Sequence, residues 1–337
     1  ALPPEFKGHI NDTASSSSLV ALAAARHRMP GLEIRTKGLA GQPPLTVYAS
    51  DQAHSSIDKA CIVLGIGQEN VRRVASDAEF RMSVPALEEA IARDRREGKL
   101  PMAVVATAGT TSTTSVDPIE PIADLCAREG IWLHADAAYA GSAAICPEYR
   151  ALMNGLERAD SIVVNPHKWL FTPVDCSVLY VRDPALLKAA FSLVPEYLRT
   201  DEPGVTNLMD LGVQLGRRFR SLKLWFVIRA FGVEGLRERI REHCAMAREL
   251  AAKIEAHPRF ELAAPVPFSA VCFRAVGDDQ LNERLLARVN EAGPFFLSHT
   301  GLKGRYTLRV AIGNLRTTRE HVDALWELLV ESVETLA

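Results

Sequence analysis

The chain has 337 residues, of which 47% are hydrophobic and 24% charged, and its formal net charge at pH 7 is -2. This composition predicts a globular protein with an ample core, built as one large domain or two fused domains. Basic and acidic residues are scattered and nearly balanced, and no apolar run approaches the ~20 residues that cross a bilayer. We therefore expect neither a nucleic-acid nor a membrane partner.

The six cysteines lie far apart in the chain. They occur at Cys61, Cys126, Cys146, Cys176, Cys244 and Cys272. Because no C-x-x-C pair is present, the spacing indicates neither a zinc site nor a disulfide framework. We therefore expect no bound metal and a reducing, cytoplasmic location.

From residue 45 to residue 193, short strand-like runs alternate with helical stretches. The strand-like runs are LTVYAS, VRRVA, MAVVATAG, IWLHADAAY, SIVVN and CSVLYVRD. The helical patterns are SSIDKACIVLG, PALEEAIARDRREG, PIADLCAREG, YRALMNGLERA and PALLKAAFSL. This alternation predicts a mainly parallel sheet with helices on both faces.

The rest of the chain has a different pattern. After the turn-rich stretch RTDEPGVTNLMDLG come two long helical patterns, LGRRFRSLKLWFVIRAFG and VEGLRERIREHCAMARELAAKIEAH. The strand-like runs FELAAP, SAVCFRAV and YTLRVAIG follow, together with the helical pattern QLNERLLARVNEAG and a terminal helix from about Thr318. We interpret this region as a smaller α+β domain, and we place the large domain at residues 1–222 and the small domain at residues 223–337.

Two strand-like runs lead into charged residues. IWLHAD ends in Asp136, and SIVVNPHK ends in Lys168. Ligands of such sheets bind beyond the carboxyl ends of the strands. A buried carboxylate without a cationic partner is unfavourable by several kcal/mol, and desolvation turns a lysine into a nucleophilic amine. The alternatives are a structural Asp136–Lys168 pair and, for the lysine, a solvated residue at the edge of the sheet.

Hydroxyl residues and a histidine also lie next to predicted strand or helix ends, where a ligand could bind. In NDTASSSSLVALAAAR, serines 15 to 18 precede an Ala-rich helix, whose free N–H groups and dipole form an anion site. One serine would suffice for a cap. Thr111 follows a strand in ATAGTTSTTSVD, and His54 follows another in YASDQAHSS. The alternative to a binding role is an ordinary turn for Thr111 and a structural role for His54.

Together these groups match the needs of pyridoxal 5'-phosphate. The lysine can form an imine with the aldehyde, the acid can hold the pyridine nitrogen protonated, and the helix start can take the phosphate. The flat imidazole can stack on the ring. No other common cofactor needs all four groups.

Four segments, YASDQAHSS, WLHADAAYAGSAAICPEYR, NPHKWL and LGRRFRSLKLWFV, resemble those of the group II pyridoxal-phosphate decarboxylases, in particular the aromatic-L-amino-acid decarboxylases of bacterial type. The similarity runs from about Gly8 to the C-terminus. It implies the aspartate aminotransferase-like fold of PLP-dependent transferases. It also implies a carboxy-lyase that converts an aromatic L-amino acid to the amine and CO2.

The resemblance implies roles for nine residues of this sequence. Lys168 is the implied Schiff-base lysine, Asp136 the partner of the pyridinium, and His54 the residue that stacks on the ring and positions the substrate. These three are the predicted catalytic residues. Further cofactor contacts are implied for Ala14, Ser15, Thr111, Ala138, Asn165 and His167.

The family also implies a homodimer with the site at its interface, where the segment around Gly216 approaches the partner's cofactor. Members carry a further N-terminal region that clasps the partner and closes the substrate pocket. From the resemblance we expect this region to be missing here and the chain alone to be a poor catalyst, and an inactive fragment is one alternative function. An aminotransferase is disfavoured, because no arginine for a second carboxylate is evident.

A second departure concerns the tyrosine on the family's mobile loop, which is thought to protonate the substrate carbon. Counting back from LGRRF places it at Leu208, and none of the six tyrosines lies between residues 198 and 305. We expect slow decarboxylation, with His54 or water as the proton donor. The alternative is an oxidative aldehyde synthase on the same scaffold.

Overall fold

The computed structural model describes residues 2–193 and 205–336. The first part of the turn-rich stretch, up to Gly204, and Tyr197 lie outside the described residues. Within the described ranges, none of the helices combines the length and hydropathy of a membrane-spanning segment.

A seven-stranded sheet forms the centre of the large domain. Its strands are β1 (Lys7–Asn11), β2 (Leu45–Ser50), β3 (Val71–Val74), β4 (Leu100–Thr107), β5 (Trp132–Asp136), β6 (Ser161–Val164) and β7 (Ser177–Val181), in the order β1-β7-β6-β5-β4-β2-β3. Strands β3, β2, β4, β5 and β6 are parallel. Strand β7 is antiparallel to both of its neighbours. The expected mainly parallel sheet is confirmed.

Helices cover both faces of this sheet, as predicted. They are α1 (Ala14–His27), α2 (Ile34–Lys37), α3 (Ser56–Val63), α4 (Val84–Arg96), α5 (Ile119–Glu129), α6 (Pro166–Trp169) and α7 (Pro184–Phe191). One core contains Leu22 of α1 and Ile57 of α3. The other contains Leu87 of α4 and Ile122 of α5. Two covered faces explain why the central strands read as continuous apolar runs rather than alternating ones.

The small domain packs three helices against a four-stranded antiparallel sheet. Its helices are α8 (Arg220–Ala256), α9 (Asp279–Ala292) and α10 (Arg319–Leu336), and its strands β8 (Phe260–Leu262), β9 (Ala270–Ala275), β10 (Ser298–Leu302) and β11 (Arg305–Ala311) have the order β10-β11-β9-β8. Helix α8 contributes Ile240 and Cys244 to a core of the large domain and Leu250 to the core of the small domain.

Several elements differ from the sequence expectation, and the short helices α2 and α6 are among them. Residues 149–159 form short 3-10 turns rather than a helix, because Gly155 adopts φ 95° and its Cα hydrogen faces the backbone of Glu120. Strands β1 and β10 carry no apolar run and were not predicted. Their sequences, KGHIN and SHTGL, pair only at the edges of the two sheets.

Candidate active site

A cavity of about 310 Å³ lies where four parallel strands end and helix α1 begins. It lies beyond the carboxyl ends of β2, β4, β5 and β6. All nine residues predicted from the sequence line it: Ala14, Ser15, His54, Thr111, Asp136, Ala138, Asn165, His167 and Lys168. Their individual chemical roles stay predictions.

Asp136 is a buried carboxylate at the last position of β5. It is 6% exposed, and its Oδ1 accepts a hydrogen bond from the Ala138 N–H at 3.1 Å. Among the described residues it forms no ion pair, so the structural pair with Lys168 is absent there. A buried charge without a partner is unfavourable. A protonated pyridine nitrogen in the cavity would supply the missing cation.

Lys168 lies in the short helix α6, one turn beyond strand β6, rather than at the strand end. Its side chain is exposed and lines the cavity, whereas the residues around it, Asn165, Pro166 and Trp169, are buried. The next residue holds the helix in place: the Trp169 ring stacks on Tyr139 with centroids 4.6 Å apart, and its indole N–H donates to His243 Nδ1 at 3.1 Å. These contacts of Trp169 fix the backbone of α6 beside Lys168.

The start of helix α1, where the sequence predicts an anion site, contributes Thr13, Ala14 and Ser15 to the lining of the cavity. Thr13 has extended backbone and makes no side-chain cap, so the first N–H groups of the helix remain available. The serine run also anchors helix α1 to the sheet through hydrogen bonds. Ser17 and Ser18 are fully buried, and their hydroxyls bond Ser177 at 2.9 Å and His134 at 3.1 Å. The extra serines therefore fasten the helix to the sheet.

Two histidines lie on the cavity wall. His54 Nδ1 accepts from the Ser56 N–H at 3.1 Å, and His167 Nδ1 accepts from the Cys176 N–H at 2.9 Å. Burial and the nearby Lys168 lower the pKa of His167. His167 is therefore a neutral ring at pH 7 that can donate only from Nε2.

Unpartnered polar atoms concentrate in this cavity. In the described part of the chain, nine buried side-chain nitrogen or oxygen atoms lack a hydrogen-bond partner. Four of these atoms belong to residues that line the cavity: Ser56 Oγ, Thr107 Oγ1, Thr114 Oγ1 and Asn165 Oδ1. Buried polar groups without partners are rare. The residues present therefore fit a compact, polar ligand such as pyridoxal 5'-phosphate.

Sequence reasoning missed eight further lining residues: Thr13, Ser56, Thr107, Gly109, Thr110, Thr114, Tyr139 and Arg309. Most are neighbours of predicted residues. Arg309 is different, because it comes from β11 in the small domain, where no local signal marks it. Its Nε donates to the Ser112 carbonyl at 2.9 Å, beside Thr111.

Leu208 does not line the cavity. It begins a 3-10 turn, Leu208–Leu211, and its carbonyl accepts from Arg217 at 3.1 Å. The turn is also held by Asp210, whose carboxylate accepts from the Ser192 hydroxyl at 2.9 Å. The Leu208 side chain is 48% exposed. Leu208 therefore lies outside the cavity of its own chain, and the expectation for the mobile loop stays a prediction.

Comparison with known proteins gives consistent matches. The family described as the pyridoxal-dependent decarboxylase conserved domain matches residues 2–276. The aromatic-L-amino-acid decarboxylase of Sus scrofa is 45% identical over 96% of this chain and 67% of its own length. The phenylacetaldehyde synthase of Arabidopsis thaliana is 42% identical over 99% of this chain and 71% of its own length.

A solved structure is similar to this chain over almost its whole length. Oryza sativa TDC with PLP and tryptamine superimposes with a TM-score of 0.93 and 41% identity, covering 98% of this chain and 71% of that one. This chain therefore spans about two thirds of the length of the relatives that it matches.

Proposed function

This chain belongs to the pyridoxal-dependent decarboxylase family, and from that membership we propose that it converts an aromatic L-amino acid to the corresponding amine and CO2. The observation that carries the proposal is the buried, unpaired Asp136 in one cavity with Lys168. The Sus scrofa relative is named for aromatic L-amino acids, and the Oryza sativa structure holds tryptamine, an aromatic amine.

Bound pyridoxal 5'-phosphate supplies a ring that accepts the electron pair left on the substrate's α-carbon when CO2 departs. Lys168 would provide the amine that attaches the cofactor. Asp136 would keep a proton on the pyridine nitrogen, so that the ring stays electron-poor. The N-terminus of α1 would bind the phosphate, and His54 would hold the ring and orient the substrate.

A substrate panel tests this proposal. The protein is incubated with dopa, tyrosine, tryptophan and phenylalanine, and CO2 and amine are quantified together. Amine and CO2 in equal amounts from at least one aromatic acid are expected. Release of CO2 from none of them, by a protein that binds the cofactor, would contradict the proposal.

Arg309 is the group that we assign to the substrate's carboxylate. Among the described residues, its guanidinium is the only one that lines the cavity, and it makes one hydrogen bond, through Nε. Charge-assisted hydrogen bonds contribute ~1.5–3 kcal/mol. We expect Arg309→Gln to raise KM about tenfold or more with a smaller change in kcat.

The control for Arg309→Gln is Arg305→Gln. Arg305 is an exposed residue of the same strand that pairs with Glu261 outside the cavity. Arg305→Gln should leave KM within about twofold of the original value, since this variant removes only an exposed ion pair. Equal KM values for both variants would remove Arg309 from the proposed site.

An aldehyde-forming activity is the second candidate, favoured by the 42% identity to a phenylacetaldehyde synthase. Because Leu208 lies outside the cavity, we expect Leu208→Tyr to leave both rate and product unchanged. Among the described tyrosines only Tyr139 lines the cavity, and its hydroxyl is hydrogen-bonded to Ser269. Tyr197 lies outside the described residues and is the remaining tyrosine that can act as the loop donor.

We therefore expect Tyr197→Phe, rather than Leu208→Tyr, to shift the product from amine toward aldehyde. The measurement follows amine, aldehyde and peroxide in one reaction. A changed product ratio in Leu208→Tyr would restore the assignment of the loop donor to position 208. An unchanged ratio in Tyr197→Phe would leave His54 or water as the proton donor.

We also propose a homodimer with the site near its interface. The start of α8 and the residue before it expose a patch of large apolar side chains, which we call the α8 patch: Phe219, Leu222, Trp225 and Phe226, between 41% and 74% exposed. Large exposed apolar patches mark association surfaces. Gly216 lies just before the patch, in the segment expected to approach the partner.

Phe226→Glu is expected to shift the protein from dimer to monomer, because it places a charge in a surface that association would desolvate. Phe296→Glu is the matched control, since Phe296 is 87% exposed in the small domain, away from the α8 patch. Sedimentation velocity measures both masses. A dimer that survives Phe226→Glu, or is lost equally in Phe296→Glu, would place the interface elsewhere.

A cytoplasmic location is part of the same proposal. All six cysteines are buried thiols without disulfides. Such thiols persist where the surroundings are reducing.

A further inference from the structure

A chain of buried polar side chains runs behind Asp136 and ends on helix α1. The Trp132 indole N–H donates to Ser161 Oγ at 2.9 Å. Ser161 Oγ lies 2.9 Å from His134 Nδ1, and His134 Nε2 lies 3.1 Å from Ser18 Oγ. All four side chains are at most 1% exposed. None of them lines the cavity, so the catalytic roles assigned above do not use them.

The chemistry of these groups limits the directions of the hydrogen bonds. An indole N–H can only donate, so Ser161 Oγ is an acceptor toward Trp132. A neutral His134 ring has one nitrogen that donates and one that accepts, and a serine hydroxyl can do either. In both tautomers the ring therefore bonds Ser161 through one nitrogen and Ser18 through the other.

Two members of this chain, Ser18 and His134, lie near opposite ends of the cofactor site. Ser18 lies one turn into α1, whose first residues form the anion site. His134 lies two residues before Asp136 on β5, so both side chains are on the same face of the sheet. In pyridoxal 5'-phosphate only a short methylene–oxygen link joins the phosphate to the ring, so the distance between the phosphorus and the ring nitrogen varies within a narrow range. The separation of α1 from Asp136 therefore decides whether both ends bind at once.

We propose that His134 is a positioning residue that locks helix α1 to strand β5 and thereby fixes the distance between the anion site and Asp136. The neutral ring also leaves the negative charge of Asp136 free for the pyridine nitrogen, because an imidazolium beside it would compensate that charge. Burial lowers the pKa of His134 to about 4, although the nearby Asp136 acts to raise it. The inference depends on the family's cofactor and is independent of which amino acid is the substrate.

The test compares a ligand that spans both ends with one that does not. Dissociation constants are measured for pyridoxal 5'-phosphate and for pyridoxal, which lacks the phosphate, with apoprotein and with His134→Phe. Each end of the site keeps its own contacts in the variant, but their spacing is no longer fixed. We expect pyridoxal 5'-phosphate to bind about tenfold or more weakly and pyridoxal to change less than about twofold.

Two further variants separate positioning from a general loss of structure. His134→Gln keeps one donor and one acceptor and should recover most of the cofactor affinity. His9→Phe replaces another buried histidine of the same sheet, 4% exposed on strand β1. It should lower stability without discriminating between the two ligands.

Folding of each variant is checked by circular dichroism. If His134→Phe does not fold, Ser18→Ala removes the far end of the chain and should weaken pyridoxal 5'-phosphate selectively by about threefold or more. Equal weakening of both ligands, or unchanged binding of both in a folded variant, would overturn the inference.

Discussion

Lys168→Ala should lower the turnover rate about 10³-fold or more. No other described lysine lines the cavity, so none can attach the cofactor there. The same assignment predicts where the cofactor is found. Borohydride reduction of the loaded protein, followed by peptide mapping, should place the pyridoxyl group on Lys168. In Lys168→Ala the label should be lost.

The control for Lys168→Ala is Lys188→Ala. Lys188 is an exposed residue of helix α7 that does not line the cavity. Its loss should change neither the label nor the rate. A label on any other lysine would show that Lys168 is not the attachment point, whatever its effect on activity.

Asp136→Asn has the second largest expected effect, a loss of about 10²-fold or more in kcat. The amide is the same shape as the carboxylate, and its oxygen can still accept from the Ala138 N–H. What disappears is the negative charge that keeps the pyridine nitrogen protonated. Borohydride should therefore still label Lys168 in this variant while turnover falls.

Asp210→Asn is a close control for Asp136→Asn. Both carboxylates are 6% exposed and accept a hydrogen bond, but Asp210 bonds Ser192 and does not line the cavity. We expect its kcat to remain within about threefold of the original, as it loses one hydrogen bond at most. If the two variants lose turnover equally, the loss reflects a buried carboxylate in general and not a role at the ring.

The predicted parts of the site were those that follow directly after strands. His54, Thr111, Asp136 and Lys168 all lie just beyond apolar runs, and the ends of parallel strands meet at one edge of the sheet. Local pattern was therefore enough to group them. Their chemical roles came from the family resemblance and not from spacing.

The missed parts depend on contacts between distant segments. Arg309 reaches the cavity from β11, and nothing in YTLRVAIG marks it as different from other surface arginines. The exposure of Lys168 was missed for a related reason. Its neighbours in sequence are apolar, but the cavity that keeps its side chain accessible is built by other strands.

Loop counting was the weakest step. The position of the loop tyrosine was inferred across a stretch without periodicity, where an insertion cannot be recognised. Leu208 does not line the cavity of its own chain, and the role of position 208 stays a prediction. A count through a loop carries no physical constraint comparable to the alternation of a strand.

Helix α8 has a further consequence because it supplies side chains to a core in each domain. Melting the small domain would strip Ile240 and Cys244 from the core of the large one, and melting the large domain would expose those two side chains of the helix. The two domains are therefore one cooperative unit rather than two that unfold in sequence. Arg309 leaves the site in the same event, so the folded fraction of the protein and the fraction able to hold substrate are the same quantity.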